Sequence, residues 1–284
     1  MYTFINNDFV NAQDAVLPVK DLALNRGYGV FDFFKTLEGK PIFLREHLDR
    51  FYNSARQMRL PVPYTKAELL TILQDLLERN KLSVSGVRLL LTGGDSEDGY
   101  GLGKPNLVIT QQTISLPDEI AFAKGIKLVS VVHQRQLPPV KTIDYLMPIW
   151  LQPLLAEKDA DDLLYHYEGT LTECPRSNFF IVTADNRLVT AKEGILDGIT
   201  RCKVLELAER HIAVEERAIS LEEAKRAKEA FVTSTTKLIL PVASIDGQAI
   251  GDDNREISRV LYNALNQRMK DHIASWCSSA QRMR

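Results

Sequence analysis

Apolar residues recur along this chain with two different periods, which predict regions of strand and regions of helix. In the first part of the chain, the residues from Thr65 to Glu68 form a capping box at the start of a helix. The elements predicted there are strands over 2–10, 31–37, 86–92 and 106–112 and helices over 46–60 and 65–77. These elements predict an α+β domain in which the helices lie apart from an antiparallel sheet.

The second part of the chain predicts more strands and several further helices. The strands are expected over 126–132, 163–167, 170–172, 179–183, 188–190, 231–233 and 239–245. Helices are expected over 141–160, from Gly198 through Ala208, after Ser220 and over 254–274. Residues 114–119 break the periodicity between the two parts. The predicted fold is therefore a mixture of α+β and α/β structure in two domains, 1–113 and 120–284, joined by a linker at 114–119.

Composition excludes several classes of function. Lys and Arg number 35 against 37 Asp and Glu, and this net charge of −2 gives no electrostatic footprint for nucleic acid. No apolar run approaches the roughly 18 residues that a membrane span requires. The beginning of the sequence lacks the pattern of a signal peptide, and the three cysteines have no spacing typical of a metal site or a disulfide framework. These features predict a soluble, cytoplasmic protein that binds neither nucleic acid nor membrane and holds no metal.

Lys141 is the first candidate for chemistry. It follows Pro138-Pro139, which fixes an extended backbone, and it precedes a run of apolar residues from Tyr145. A lysine in apolar surroundings lowers its pKa readily and can form a Schiff base with a carbonyl compound. On its position alone, a solvated surface lysine is the more common outcome.

Several other motifs lie before and after Lys141 in the sequence. Glu173 lies 32 residues after the lysine, in the segment Leu171-Thr172-Glu173-Cys174-Pro175. Further motifs are His47-Leu48-Asp49-Arg50, Leu196-Asp197-Gly198-Ile199-Thr200-Arg201 and Thr233-Ser234-Thr235-Thr236. In this order and spacing, the segments resemble the class IV (fold type IV) pyridoxal-phosphate aminotransferases, which include D-amino-acid and branched-chain aminotransferases. The resemblance covers nearly the whole chain.

The resemblance implies a two-domain fold like that of D-amino-acid aminotransferase, with pyridoxal 5'-phosphate between the domains. Lys141 would form the Schiff base, and Glu173 would face the pyridine nitrogen and keep it protonated. Arg50 would pair with the phosphate. Independently of the family, the free amides at the start of a helix at Ile199 and Thr200 favour a phosphate, and the turn containing Ser234 and Thr235 supplies further donors.

Substrate residues are also suggested by the resemblance: Arg26, Tyr28, Arg88 and Thr236. Two guanidinium groups suit dicarboxylates such as 2-oxoglutarate. Family members often contribute the segment that matches 21–32 from a neighbouring subunit, which implies a homodimer. In the family this segment usually ends in Gly-Asp-Gly-x-Phe-Glu, whereas this chain has Gly-Tyr-Gly-Val-Phe-Asp at 27–32. The departure concerns the identity of the substrate more than that of the cofactor.

The sequence therefore predicts an enzyme that moves an amino group between an amino acid and a 2-oxo acid. The Ser234-Thr235-Thr236 turn resembles that of the D-amino-acid aminotransferases more than that of the branched-chain ones, which implies D-amino acids with 2-oxoglutarate as the acceptor. Branched-chain L-amino acids are the alternative substrate class. More remote alternatives are an aminodeoxychorismate lyase and a non-catalytic protein that binds a phosphate-bearing ligand.

Overall fold

The structure is a computed structural model, which describes residues 1–251 and 254–282 and side chains as far as Ser275. The chain forms two compact units. Unit 1 contains Met1–Ser115, Val140–Asp144 and Asp271–Arg284, and unit 2 contains Leu116–Pro139 and Tyr145–Lys270. These units differ from the continuous domains expected from the sequence, because the segment with Lys141 and the residues after Lys270 group with unit 1.

Unit 1 is built around a six-stranded antiparallel sheet in the order β2-β1-β6-β5-β3-β4. A short 3₁₀ turn covers Ala12–Asp14. The other elements are β1 Tyr2–Ile5, β2 Asp8–Asn11, α1 Leu22–Arg26, β3 Gly29–Leu37, β4 Lys40–Pro41, α2 Leu44–Gln57, α3 Lys66–Asn80, β5 Ser85–Thr92 and β6 Leu107–Thr113. The predicted α+β arrangement of this part is confirmed.

The two long helices of unit 1 form because their apolar residues lie on one face. Phe51 and Ala55 of α2 and Leu69 and Leu73 of α3 are buried in one core with residues from the sheet. At the start of α3, Thr65 Oγ1 accepts from the amide of Glu68, and the Glu68 carboxylate accepts from the amide of Thr65. This reciprocal pair satisfies two amides that a helix start leaves without partners.

Unit 2 contains a ten-stranded mixed sheet. Its main path is β13-β12-β11-β14-β15-β7-β8-β9, with β10 paired to β11 and β16 paired to β15. The strands are β7 Ile126–Val132, β8 Asp162–Tyr167, β9 Thr170–Leu171, β10 Glu173–Cys174, β11 Ser177–Val182, β12 Arg187–Thr190, β13 Ala213–Glu216, β14 Glu229–Ser234, β15 Leu238–Ile245 and β16 Gln248–Ala249. The helices are α4 Glu119–Lys124, α5 Leu146–Trp150, α6 Gln152–Glu157, α7 Ile199–Ala208, α8 Leu221–Lys225 and α9 Glu256–Arg282, whose last residues belong to unit 1.

The helix predicted over 141–160 is wrong at its beginning. Residues 140–144 form no helix, because they bond to β3: Thr142 bridges to Val30, the Phe31 amide donates to the Lys141 carbonyl (2.9 Å) and the Ile143 amide donates to the Gly29 carbonyl (3.1 Å). Two short helices, α5 and α6, follow instead of one long helix. Proline at 148 and at 153 lacks the amide that a continuous helix needs, so the division is expected.

Among the helices of the described residues, none is long and apolar enough to cross a membrane. Across residues 1–251 and 254–275, no three His, Cys, Asp or Glu side chains are grouped as a metal site would require.

Candidate active site

Lys141 is fixed in unit 1 through its backbone. Its carbonyl accepts from the amide of Phe31 on β3 at 2.9 Å. Its own amide donates to the Ser54 hydroxyl of α2 at 3.2 Å. Because both backbone groups are engaged, the side chain starts from a fixed point, and only its own torsions move the Nζ atom.

The Phe31 ring connects Lys141 with Arg88, a predicted substrate residue. Lys141 Nζ lies 4.5 Å from the centroid of this ring, and Arg88 Cζ also lies 4.5 Å from it. The two cationic groups are therefore no more than twice that distance apart. Phe31 is 8% exposed, whereas Arg88 is exposed to solvent. Cations favour the face of an aromatic ring, so Phe31 holds both side chains near one surface of the sheet.

Arg50 is not a solvated surface residue, because it pairs with a buried carboxylate. Its Nε and Nη2 atoms donate to Asp32 Oδ2 at 2.8 Å and Oδ1 at 2.9 Å. His47 Nδ1 lies 2.7 Å from Asp32 Oδ1. Burial alone would raise the pKa of the Asp32 carboxyl, but Arg50 and then His47 hold this pKa well below its ordinary value. Burial lowers the pKa of His47, so the imidazole is neutral near pH 7.

Arg26 and Tyr28, the other predicted substrate residues of unit 1, have different environments. Arg26 is exposed at the end of α1, and its Nη1 donates to the Asn25 carbonyl. In the described part of the chain, Arg26 forms no ion pair with a carboxylate. The next residue, Gly27, has φ +64°, a conformation that favours glycine and ends the helix. The Tyr28 hydroxyl donates to the Met58 carbonyl at 2.7 Å.

Glu173 lies in unit 2, where both carboxylate oxygens are held. Oε1 accepts from Arg135 Nε at 2.9 Å and Nη2 at 2.7 Å. Oε2 accepts from the Leu196 amide at 3.0 Å and from Asn178 Nδ2 at 3.2 Å. The residue as a whole is 4% exposed. A buried carboxylate with these charge-assisted hydrogen bonds has one fixed orientation.

The start of α7 lies next to this carboxylate. Asn178 Nδ2 also donates to the Leu196 carbonyl at 2.8 Å, which links Glu173 to the loop before the helix. A Cβ atom at Gly198 would lie 2.0 Å from Asn178 Oδ1, so only glycine permits this approach. Gly198 caps the helix without a side-chain hydrogen bond. The amides of Ile199 and Thr200 have no acceptor within residues 1–251 and 254–282, which is the arrangement that binds a phosphate.

The Ser234-Thr235-Thr236 turn joins β14 to β15 in the same unit. Ser234 Oγ accepts from the Lys237 amide at 3.0 Å, which closes the turn. Lys237 Nζ then donates to Asp162 at 2.5 Å and to Ser177 at 3.1 Å. Buried Thr233 Oγ1 has no partner among the described residues. We call residues 198–200 and 234–236 the phosphate cup, and the unpaired amides of Ile199 and Thr200 fit a phosphate group.

Several residues around these candidates were not predicted from the sequence. They are Asp32, His47, Arg135 and Asn178. Asp32 and His47 lie inside motifs that are visible in the sequence, but nothing there shows that they contact each other. Arg135 shows only a weak signal, as a charged residue three positions before Pro138.

Comparison with known proteins identifies the family. The family model described as amino-transferase class IV matches residues 29–245. This chain belongs to the class IV aminotransferases. A putative branched-chain-amino-acid aminotransferase of Methanocaldococcus jannaschii is 30% identical over 97% of this chain and 98% of that protein. A D-alanine aminotransferase of Listeria monocytogenes is 30% identical over 90% of this chain and 91% of that protein.

The fold agrees with this assignment. The branched-chain amino acid aminotransferase of Escherichia coli superimposes with a TM-score of 0.87 at 25% identity, covering 94% of each chain. The predicted mixed fold is confirmed, and so is the predicted enzyme class. The enzyme uses pyridoxal phosphate, as this family does. A purely ligand-binding role is therefore set aside.

Proposed function

We propose that this aminotransferase transfers the amino group of D-amino acids to 2-oxoglutarate. The observation that carries the proposal is the shared position of Lys141 and Arg88 on the Phe31 ring. A substrate carboxylate bound by Arg88 would bring its α-carbon within reach of the lysine nitrogen. The sequence of the Ser234-Thr235-Thr236 turn and the D-alanine names among the relatives support the choice of D-amino acids.

The order of the motifs along the chain supports the following cofactor residues. Lys141 would bind the cofactor covalently, and Glu173 would face its pyridine nitrogen. Arg50 would pair with the phosphate. The remaining phosphate donors would be the amides of Ile199 and Thr200 and the side chains of Ser234 and Thr235.

Pyridoxal phosphate, when bound, withdraws electrons from the α-carbon of the amino acid and so makes its proton acidic. Lys141 Nζ would take that proton from the α-carbon and pass it to the cofactor carbon within the same half-reaction, and the second half-reaction would run these transfers in reverse. Glu173 keeps a negative charge beside the pyridine nitrogen, which favours the protonated ring. Arg135, Asn178 and the Leu196 amide hold this carboxylate in place.

A second guanidinium would explain a preference for dicarboxylates. Arg26 is exposed and engages only a neighbouring carbonyl among the described residues. Arg26 and Arg88 could each clamp one carboxylate of 2-oxoglutarate or glutamate. Tyr28 and Thr236 remain predicted substrate contacts. The Tyr28 hydroxyl already donates to Met58, so its ring edge is the part that remains for a substrate.

Branched-chain L-amino acids are the second candidate substrates, and the surface around Phe31 favours them. Phe31, Phe33 and Leu90 lie on the same side of the sheet as Arg88, because Phe31 pairs with Leu90 and Phe33 pairs with Arg88. An apolar side chain would pack well against these groups. The branched-chain name of the Methanocaldococcus relative agrees with this candidate.

A panel of amino donors separates these candidates. The purified enzyme is incubated with D-alanine, D-glutamate, L-leucine or L-isoleucine, with 2-oxoglutarate or pyruvate as acceptor, and both half-reactions are measured. The proposal predicts exchange with D-alanine and D-glutamate. Activity with L-leucine and none with either D-amino acid would contradict it. Release of pyruvate from aminodeoxychorismate without exchange would identify a lyase instead.

We also propose a homodimer and a cytoplasmic location. Leu146, Ile149 and Trp150 of α5 are 73%, 62% and 68% exposed. A group of large exposed apolar side chains is typical of a surface that binds another chain. Cys174 and Cys202 carry free thiols, which agrees with a reducing compartment.

A further inference from the structure

Asp32 stands where the family usually has glutamate, and its contacts concern one cofactor residue. The side chain is 0% exposed and lies on the side of β3 that faces α2. Both oxygens accept hydrogen bonds from Arg50, and Oδ1 also accepts from His47 and from the Phe33 amide. Asp32 therefore carries a buried negative charge whose strongest partner is the guanidinium of Arg50.

This pairing fixes the plane of the guanidinium. A side chain as long as arginine has several rotatable bonds, and ordering it costs conformational entropy. Two parallel hydrogen bonds to one carboxylate hold the Nε–Nη2 edge in a single orientation. The Arg50 side chain is 11% exposed, so little of it is left to water. The entropy of orienting Arg50 is thus lost on folding and not on binding of an anion.

His47 strengthens the same arrangement from one turn earlier on α2. Its Nδ1 lies 2.7 Å from a carboxylate oxygen, so this nitrogen carries the proton and donates it. The ring is 3% exposed. Asp32 thereby joins two side chains of α2 to one point on β3, and neither the strand nor the helix can shift without breaking a charged hydrogen bond.

We propose that Asp32 is a positioning residue, which orients Arg50 for the phosphate of the cofactor. This inference rests on the proposed phosphate role of Arg50. It predicts that Asp32 strengthens binding of pyridoxal phosphate and leaves binding of pyridoxal, which lacks the phosphate, unaffected. Loss of a charged hydrogen bond typically weakens an interaction about 10- to 100-fold, and this is the expected change in relative affinity.

The test is equilibrium binding of pyridoxal phosphate and of pyridoxal to the apoenzyme, monitored by absorbance. The ratio of the two dissociation constants is compared in the wild type, Asp32→Asn, Asp32→Glu, Arg50→Gln and Asp32→Asn/Arg50→Gln. Asp32→Asn is expected to reduce the preference for the phosphorylated ligand about 10- to 100-fold. Asp32→Glu keeps the carboxylate and is expected to retain most of that preference.

Thr36→Val is the matched control. Thr36 lies on the same strand and the same face, is fully buried, and shares a 2.7 Å hydrogen bond with Ser85. Its replacement removes a buried polar contact that does not involve Arg50. It should lower thermal stability without changing the ratio of dissociation constants.

The outcomes separate the inference from the proposed function. If Arg50→Gln reduces the ratio but Asp32→Asn does not, the inference is overturned and the phosphate role of Arg50 stands. If Arg50→Gln leaves the ratio unchanged, that role fails and the inference fails with it. Equal weakening of both ligands in Asp32→Asn would show a purely structural role and would also overturn the inference.

The double variant keeps the inference testable if Asp32→Asn does not fold. Removing both members of a buried ion pair is tolerated better than removing one. If Asp32 acts only through Arg50, the double variant has the same ratio as Arg50→Gln. A further tenfold loss in the double variant would contradict the inference.

Discussion

The Glu173 carboxylate, the proposed partner of the pyridine nitrogen, shows how tertiary contacts orient a single side chain. Four hydrogen bonds from Arg135, Asn178 and the Leu196 amide reach its two oxygens. Three of these hydrogen bonds come from Arg135 and the Leu196 amide, which lie 38 and 23 positions from Glu173 in the sequence. The carboxylate is consequently oriented by tertiary structure and not by its local turn.

Replacement of Glu173 by Gln should slow both half-reactions. The amide keeps the shape of the side chain but removes the charge that favours a protonated pyridine nitrogen. Loss of one such electrostatic contact typically costs about 2.7–4 kcal/mol, or two to three orders of magnitude in rate. Stopped-flow absorbance gives the half-reaction rates. Glu157→Gln, at an exposed carboxylate, is the control, and an unchanged rate in Glu173→Gln would remove this residue from the site.

Replacement of Arg135 by Gln tests whether the orientation of Glu173 matters. The variant loses the pair of bonds to Oε1, each a charged hydrogen bond of about 1.5–3 kcal/mol. We expect a half-reaction rate at least about tenfold lower, with the cofactor still bound. Arg187→Gln, which removes the exposed pair with Asp185, should have no effect on the rate. Equal rates in the two variants would show that Arg135 does not act through Glu173.

Some of these site residues could be predicted from the sequence, and others could not, for a physical reason. Lys141 and Glu173 could be proposed because their motifs keep a set order along the chain. Arg135 and Glu173 are in contact although they lie 38 positions apart in the sequence, and Asp32 and Arg50 are in contact although they lie 18 positions apart. Such contacts depend on how strands and helices pack, which the periodicity of a single sequence does not specify.

At the scale of elements, β3 carries polar groups on both faces. Asp32 faces α2, whereas Lys35 lies on the opposite face with Phe31 and Phe33. Lys35 is 3% exposed, and burial lowers its pKa to about 7. In the unfolded chain, a lysine has a pKa of about 10.4.

The Lys35 amine should make stability depend on pH. Between about pH 7 and 10 the unfolded chain binds a proton that the folded protein does not, so the free energy of unfolding rises with pH as the cost of burying this amine falls. Lys35→Met removes the effect. Urea unfolding at pH 7, 8 and 9 should show that the stability of the wild type relative to Lys35→Met increases with pH, by at most about 1.4 kcal/mol per unit. Lys20→Met, at an exposed lysine, is the control, and a difference that does not vary with pH would contradict the prediction.

Local signals predicted some elements well and failed at one important place. The capping box at Thr65 and the start of α7 at Gly198 depend on neighbouring residues, and both are confirmed. The helix expected from Lys141 is wrong, because β3 and Ser54 engage the Lys141 backbone. The competing interactions come from more than 80 positions away along the chain, as the separation of 87 between Ser54 and Lys141 shows.

At the scale of the whole molecule, the division into units could not be predicted from composition. Val140–Asp144 belongs to unit 1 because it pairs with β3, although it lies between segments of unit 2 in the sequence. The position of a break in periodicity therefore does not determine where a compact unit ends. The break at 114–119 nevertheless coincides with the change from unit 1 to unit 2 at Ser115 and Leu116.

The proposed homodimer can be tested at the exposed face of α5. Trp150→Glu places a charge on a residue that is 68% exposed, so it should not disturb the fold of the monomer. If α5 lies in a subunit interface, the charge should shift the protein toward monomer by at least about tenfold in dissociation constant, as measured by sedimentation velocity. Lys192→Glu, at another exposed position, should leave the oligomeric state unchanged. A dimer of undiminished affinity in Trp150→Glu would place the interface elsewhere.

We propose that Lys141 is the lysine to which the cofactor is bound. The most direct measurement is borohydride reduction of the purified holoenzyme, followed by digestion and mass spectrometry of the peptides. We expect the reduced cofactor on the peptide that contains Lys141, and we expect no such adduct and almost no turnover in Lys141→Ala. Attachment to another lysine, such as buried Lys35 or Lys237 beside the phosphate cup, would contradict it.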